Sequence, residues 1–179
     1  PAAEAVLFEG QRISYGAFHE RIVAAAGWLQ SQGIEPGQVV ALLMKNSPAF
    51  LELAFAASHA GAVLLPINFR LSATEIDYIC TNAEARLLLC DEELLASAGT
   101  SCPVVAIGAD AQGDSRLLGK APRGQLRHRT SGDLYRLMYT SGTTDHPKGV
   151  CHEYGNYHWK AAALAMGLDL SSQTRLLMA

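Results

Sequence analysis

With 179 residues, a hydrophobic fraction of 49% and a charged fraction of 17%, the chain can bury a real core and lacks the composition of a disordered protein. Its formal net charge of -3 excludes global attraction to nucleic acid or an anionic membrane, so any anion site must be local. Four cysteines and six histidines show neither CxxC pairing nor metal-ligand spacing, so we expect no metal site and reduced, buried or incidental thiols in a cytoplasmic protein.

The opening PAAEAVLFEG has no basic stretch followed by an apolar run, so no secretory signal is expected in it. Ala5–Phe8 and Arg12–Ser14 flank Glu9-Gly10 and read as a hairpin. Ser14 can cap a helix running to about Gln32, with Phe18, Ile22, Ala25 and Leu29 on one face and Gly33 as its stop. Gln38–Met44 is a continuous apolar run, as in a strand covered on both faces. Ser47-Pro48 pairs a cap with a first-turn proline and opens a second helix, which Gly61 closes. Ala62–Pro66 is the next buried strand. The whole stretch between Lys45 and Arg70 is apolar, but Glu52, His59, Gly61 and Pro66 interrupt it. A buried helix and strand therefore explain it better than a membrane span.

Ser72-Ala-Thr-Glu75 is a capping box that starts a helix through about Thr81. Arg86–Cys90 reads as a strand, Glu92–Ala98 as a short helix and Pro103–Ile107 as a further strand. Strands and helices alternate with short connections, which predicts an α/β fold: a parallel sheet with helices on both faces. A polar, glycine-rich excursion follows at about 108–132. It carries Lys120, Arg123, Arg127 and Arg129, and a solvated loop is expected over a basic binding strip. Leu134–Tyr139 resumes as a strand, a helix is expected from about Asn156 to Gly167, and Arg175–Met178 reads as the start of another strand.

Between the last of these strands and the helix lies Tyr139–Gly149, YTSGTTDHPKG. A phosphate chain needs converging backbone N–H groups, hydroxyl donors and a cation. Gly142 and Gly149 allow the backbone to turn its amides inward, and Thr140, Ser141, Thr143 and Thr144 supply hydroxyls. Lys148 supplies a flexible charge, with Pro147 stiffening the backbone before it. A Walker A loop requires GxxxxGK[ST] and a dinucleotide fingerprint requires GxGxxG, and neither spacing is present.

YTSGTT-x-x-PKG resembles the phosphate-loop signature of the adenylate-forming enzymes: acyl- and aryl-CoA synthetases, adenylation domains of peptide synthetases, and luciferases. Asp133-Leu before the strand and Val150 after the glycine are also usual there. The likeness extends back through Ser14–Ile79, including the Gly33–Val39 turn and the Pro66–Leu71 segment. It implies the first part of the large N-terminal domain of an AMP-binding enzyme, over residues 1–179.

Members activate a carboxylate with ATP, release pyrophosphate, and mostly transfer the acyl group to a thiol. The resemblance therefore implies ATP, Mg²⁺ and CoA, a small carboxylic acid as substrate, fatty-acid metabolism as one setting, and a homodimer as one assembly. Thr140, Ser141, Gly142, Thr143, Thr144 and Lys148 would bind the phosphates, with Lys148 neutralising charge as pyrophosphate leaves.

Two departures stand out. Asp145 occupies a position where glycine is commonest, and it is expected to face solvent because that position varies among members. His152 falls two places before the family's usual histidine. Its KGV-x-H setting resembles acetyl- and propionyl-CoA synthetases, but a plain structural role serves it as well as a pocket role. The family's substrate pocket, its Tyr-Gly-x-Thr-Glu segment, its ribose-binding aspartate and its C-terminal lysine have no counterpart in these residues. The chain is thus expected to be a fragment of a longer ligase, inactive alone, that leaves apolar sheet edges exposed. Three functions stay open: a carboxylate–CoA ligase, a module charging a carrier protein, and a non-catalytic nucleotide-binding module.

Overall fold

In the computed structural model, which describes residues 2–108, 122–140 and 147–176, β1 (Glu4–Phe8) and β2 (Gln11–Ser14) form the expected antiparallel hairpin. Its two-residue turn holds Glu9 at φ 48° and Gly10 at φ 82°, the positive values that match the twist of the flanking strands. Ser14 then accepts the Ala17 N–H and caps α1 (Tyr15–Ser31), and Gly33 at φ 78° ends it.

The remaining strands build one six-stranded sheet in the order β6-β5-β3-β4-β7-β8. Here β3 is Val39–Leu43, β4 Val63–Ile67, β5 Ala85–Asp91, β6 Val104–Ile107, β7 Leu134–Thr140 and β8 Lys148–Glu153. All neighbours pair parallel except β7 and β8, which are antiparallel. Helix α2 (Pro48–His59), capped by Ser47, carries the chain from β3 to β4. Helix α3 (Ala73–Asn82) carries it from β4 back past β3 to β5, and its Ser72/Glu75 capping box is fully formed. Parallel crossovers are right-handed, so two steps in opposite directions along the sheet place their helices on opposite faces.

The core follows this division. Val40, Leu42, Leu64, Leu87 and Leu89 face Leu29 of α1 and Leu53 and Ala57 of α2. Alternate residues Ala41, Leu43, Leu65, Leu88 and Cys90 face Ile76, Ile79 and Cys80 of α3. The apolar run around Val40 is therefore continuous because both faces are sealed.

The expected short helix is present as a 3₁₀ helix, Glu92–Ser97. Several elements differ from the expectation. Lys148–Glu153, read as part of a loop and its exit, is a strand, and the helix after it, α4 (Tyr154–Gly167), begins earlier than predicted. Arg175 and Leu176 have no regular structure, and the rest of that predicted strand lies outside the described residues. On α1, Ile22 is only half-buried, whereas Val23, Ala26 and Gly27 are buried.

The end of the polar excursion explains this last difference. Residues 122–130 run as a strap over α1 and the end of α2. Gly124 N–H donates to Val23 O at 2.9 Å, and Arg127 N–H to His59 O at 2.9 Å. The Gln30 amide makes two bonds with the Gln125 backbone, at 2.7 and 3.0 Å. This part of the solvated excursion is docked through its backbone while most of its residues stay exposed, because backbone groups over a helix need partners. The preceding part, including Lys120, lies outside the described residues.

Helix α4 has no buried residue, and its Trp159 and Met166 are 81% and 83% exposed.

The strap approaches α1 so closely that a Cβ on Gly27 would lie 1.8 Å from the Pro122 carbonyl oxygen. Gly27→Ala should therefore destabilise the protein by about 1–3 kcal/mol in urea unfolding. Gly167→Ala, with nothing within 4 Å of the added carbon, should be neutral or slightly stabilising. Burial pushes the Cys80 and Cys90 thiols up to about 11. Unfolded thiols ionise near 8.5, so the folded state holds its protons longer. This contribution is fully present below the unfolded value and is lost as pH rises toward 11. Urea midpoints should fall over that window, and fall less steeply in Cys80→Ala.

Candidate functional site

All the parallel strands end at one edge, where in open α/β sheets ligands usually bind. Two places on this edge carry charge. The first is the crevice between β3 and β5, whose connections leave in opposite directions. A cavity of about 300 Å³ opens there, lined in part by Arg21, Lys45, Glu52, Asp91 and Glu93. Both of its cations are already paired with carboxylates. The Lys45 ammonium lies 2.9 Å from Glu93, Arg21 donates to Glu52 at 3.0 Å, and Asp91 accepts the Lys45 N–H at 2.8 Å. Burial raises the Glu52 and Asp91 carboxyls above their usual range despite these donors.

The second place is the end of β7. Thr140 closes β7 and faces Lys148, the first residue of β8, across the antiparallel pair. Both side chains are exposed. The sequence therefore puts one hydroxyl and one ammonium on the two stems of the phosphate-loop candidate. Ser141, Gly142, Thr143 and Thr144 lie outside the described residues, as do Asp145 and His146. Unlike Lys45, Lys148 has no acidic partner among the described residues, so its charge remains available to an anion.

Helix α3 contacts both stems, which the sequence did not suggest. The Tyr139 hydroxyl donates to Asn82 Oδ1 at 2.6 Å, and the Tyr78 hydroxyl donates to the Pro147 carbonyl at 3.5 Å. The only hint in the sequence is the spacing of Tyr78 and Asn82, which puts both on one helix face. His152 is half-buried on β8, with its ring edge-on to Tyr157 at 5.7 Å. Tyr157 also stacks under the Arg136 guanidinium at 4.8 Å. This packing gives His152 a structural contact.

Mg²⁺ ordinarily takes one or two carboxylates besides substrate phosphates, and the described stem residues Thr140 and Lys148 supply no carboxylate of their own. The stems offer a hydroxyl and an ammonium, and no group of three or more His, Cys, Asp or Glu among the described residues is placed to hold a metal ion. None of the described helices is long and apolar enough to cross a membrane.

The chain is 35% identical over 188 residues to a feruloyl-CoA synthase of Amycolatopsis sp, covering 100% of this chain and 36% of that protein. It is 37% identical over 159 residues to a 2-succinylbenzoate–CoA ligase of Geobacillus kaustophilus, covering 86% and 31%. The fold matches the crystal structure of apo MatB from Rhodopseudomonas palustris with a TM-score of 0.83 at 28% identity, over 96% of this chain and 36% of that one. The chain thus spans about a third of the length of these relatives. The family model for AMP-binding enzymes matches residues 1–179, and the chain belongs to that family.

Proposed function

We propose that residues 1–179 are the N-terminal part of the adenylation domain of an ATP-dependent carboxylate–CoA ligase. The protein would couple an acid to ATP, giving an acyl-adenylate and pyrophosphate, and then form a CoA thioester. The observation that carries this reading is the pairing of Thr140 with Lys148 at the carboxyl edge of the sheet, on the stems of a loop rich in hydroxyls and glycines.

In this reading Thr140, Ser141, Gly142, Thr143 and Thr144 hold the phosphate oxygens. Lys148 neutralises the charge that grows on the pyrophosphate as it leaves, an electrostatic role suited to an ammonium with no acidic partner among the described residues. ATP and CoA are then co-substrates, and Mg²⁺ would supply further charge neutralisation at the phosphates. CoA is favoured as acceptor because the relatives above are named as CoA-thioester-forming enzymes. Both names denote aromatic acids, so aromatic acids are the first to try, ahead of short-chain and fatty acids. A cytoplasmic, soluble ligase, alone or as a homodimer, completes the proposal.

Pyrophosphate release by the full-length protein, measured with a panel of carboxylic acids with and without CoA, tests the proposal. CoA-dependent thioester formation is expected with at least one acid, and no release with any acid would refute the enzyme reading. Lys148→Ala should slow adenylation about 10²–10³-fold while leaving thermal unfolding unchanged, because the side chain is exposed.

A further inference from the structure

Helix α3 is the best-fixed element near the loop. Its Ile76, Ile79 and Cys80 are buried against the sheet, and both parts of its capping box are formed. Asp77 also accepts the Ser101 N–H at 3.0 Å, tying α3 to the segment before β6. Tyr78 and Asn82 lie one turn apart on this helix and reach the two sides of the loop, as described above. The Tyr139 ring also lies against β8, where a Cβ on Gly149 would come within 3.0 Å of its Cζ. One ring therefore touches the outgoing stem, the returning stem and α3.

We infer that α3 holds the two stems, with Asn82 and Tyr139 as positioning residues for Thr140 and Lys148, and with Tyr78 steadying Pro147. The inference rests on reading the loop as the ATP-phosphate site. Thr140 and Lys148 held in place before the ligand arrives need less ordering on binding, so tying the stems to a buried helix lowers the cost of binding. The Tyr139–Asn82 bond is the stronger tie, because 2.6 Å is short for a hydroxyl donor and 3.5 Å is at the limit. Burial, and next the nearby Tyr78 phenol, raise the Tyr139 phenol above its usual range, so it stays protonated and able to donate at neutral pH. A side chain at Gly149 would make this ring give by a few tenths of an ångström.

The test uses the full-length protein with Tyr139→Phe, Asn82→Ala, the double variant and Lys148→Ala. Tyr139→Phe keeps the ring and loses only the hydroxyl, so it reads the bond without removing the packing. Tyr139→Phe and Asn82→Ala should each raise KM for ATP about fivefold. The double variant should do no more than either single, because all three lose the same bond. KM for the acid and the unfolding temperature should not change, and trypsin should cut after Lys148 faster in the absence of ATP. Unchanged KM for ATP and unchanged cleavage in these variants, beside a slowed Lys148→Ala, would overturn the positioning role of the α3 tie alone. Equal rises in both KM values would also overturn it, since they would report a general structural loss. Wild-type kinetics in Lys148→Ala would instead overturn the phosphate reading, and the tie as an ATP-positioning device with it.

Discussion

The structure depends on β3 being sealed on both faces. Leu42 and Leu43, adjacent in sequence, are both completely buried, one against the α1–α2 layer and one against α3. Backbone groups so placed cannot reach water and must bond to neighbouring strands. Pairing with β4 on one side and β5 on the other meets that demand, and the two crossovers that supply these neighbours must then bring α2 and α3 to opposite faces. All the parallel strands consequently end at the same edge.

That edge is where the chain gathers its polar groups, and its two charged places differ. In the β3–β5 crevice, Lys45 and Arg21 face carboxylates of their own chain, so the crevice has little net attraction left for an anion. At the end of β7 the chain turns back into β8, and Thr140 and Lys148 meet across the hairpin. An antiparallel hairpin suits this task because both ends of the loop are fixed by one ladder of hydrogen bonds. α3, fixed in the opposite layer, touches both stems. The layer that seals β3 thereby also supports the loop.

Most of the sheet was legible in the sequence because its signals are local. Ser14, Ser47 and Ser72 each cap the helix predicted after them, and the apolar runs at Val39, Val63 and Ala85 are strands. The signals were weaker where tertiary contacts decide. Lys148–Glu153 has no apolar alternation to announce a strand, since it is an edge strand with little burial, and its pairing with β7 defines it. Val23 and Gly27 are buried by a strap roughly a hundred residues away in sequence, which no helical periodicity can report. The loop was legible as chemistry, in its hydroxyls, glycines and lysine, but its tie to Tyr78 and Asn82 depends on how α3 crosses the sheet.

On the proposed function, the segment between Tyr139 and Gly149 binds the phosphates of ATP. Hydrogen–deuterium exchange over this segment in the full-length protein, with and without a non-hydrolysable ATP analogue, tests it most directly. Marked slowing in the peptides spanning 140–149, larger than in β3 or α2, is expected. Exchange there that does not change at saturating analogue would contradict it.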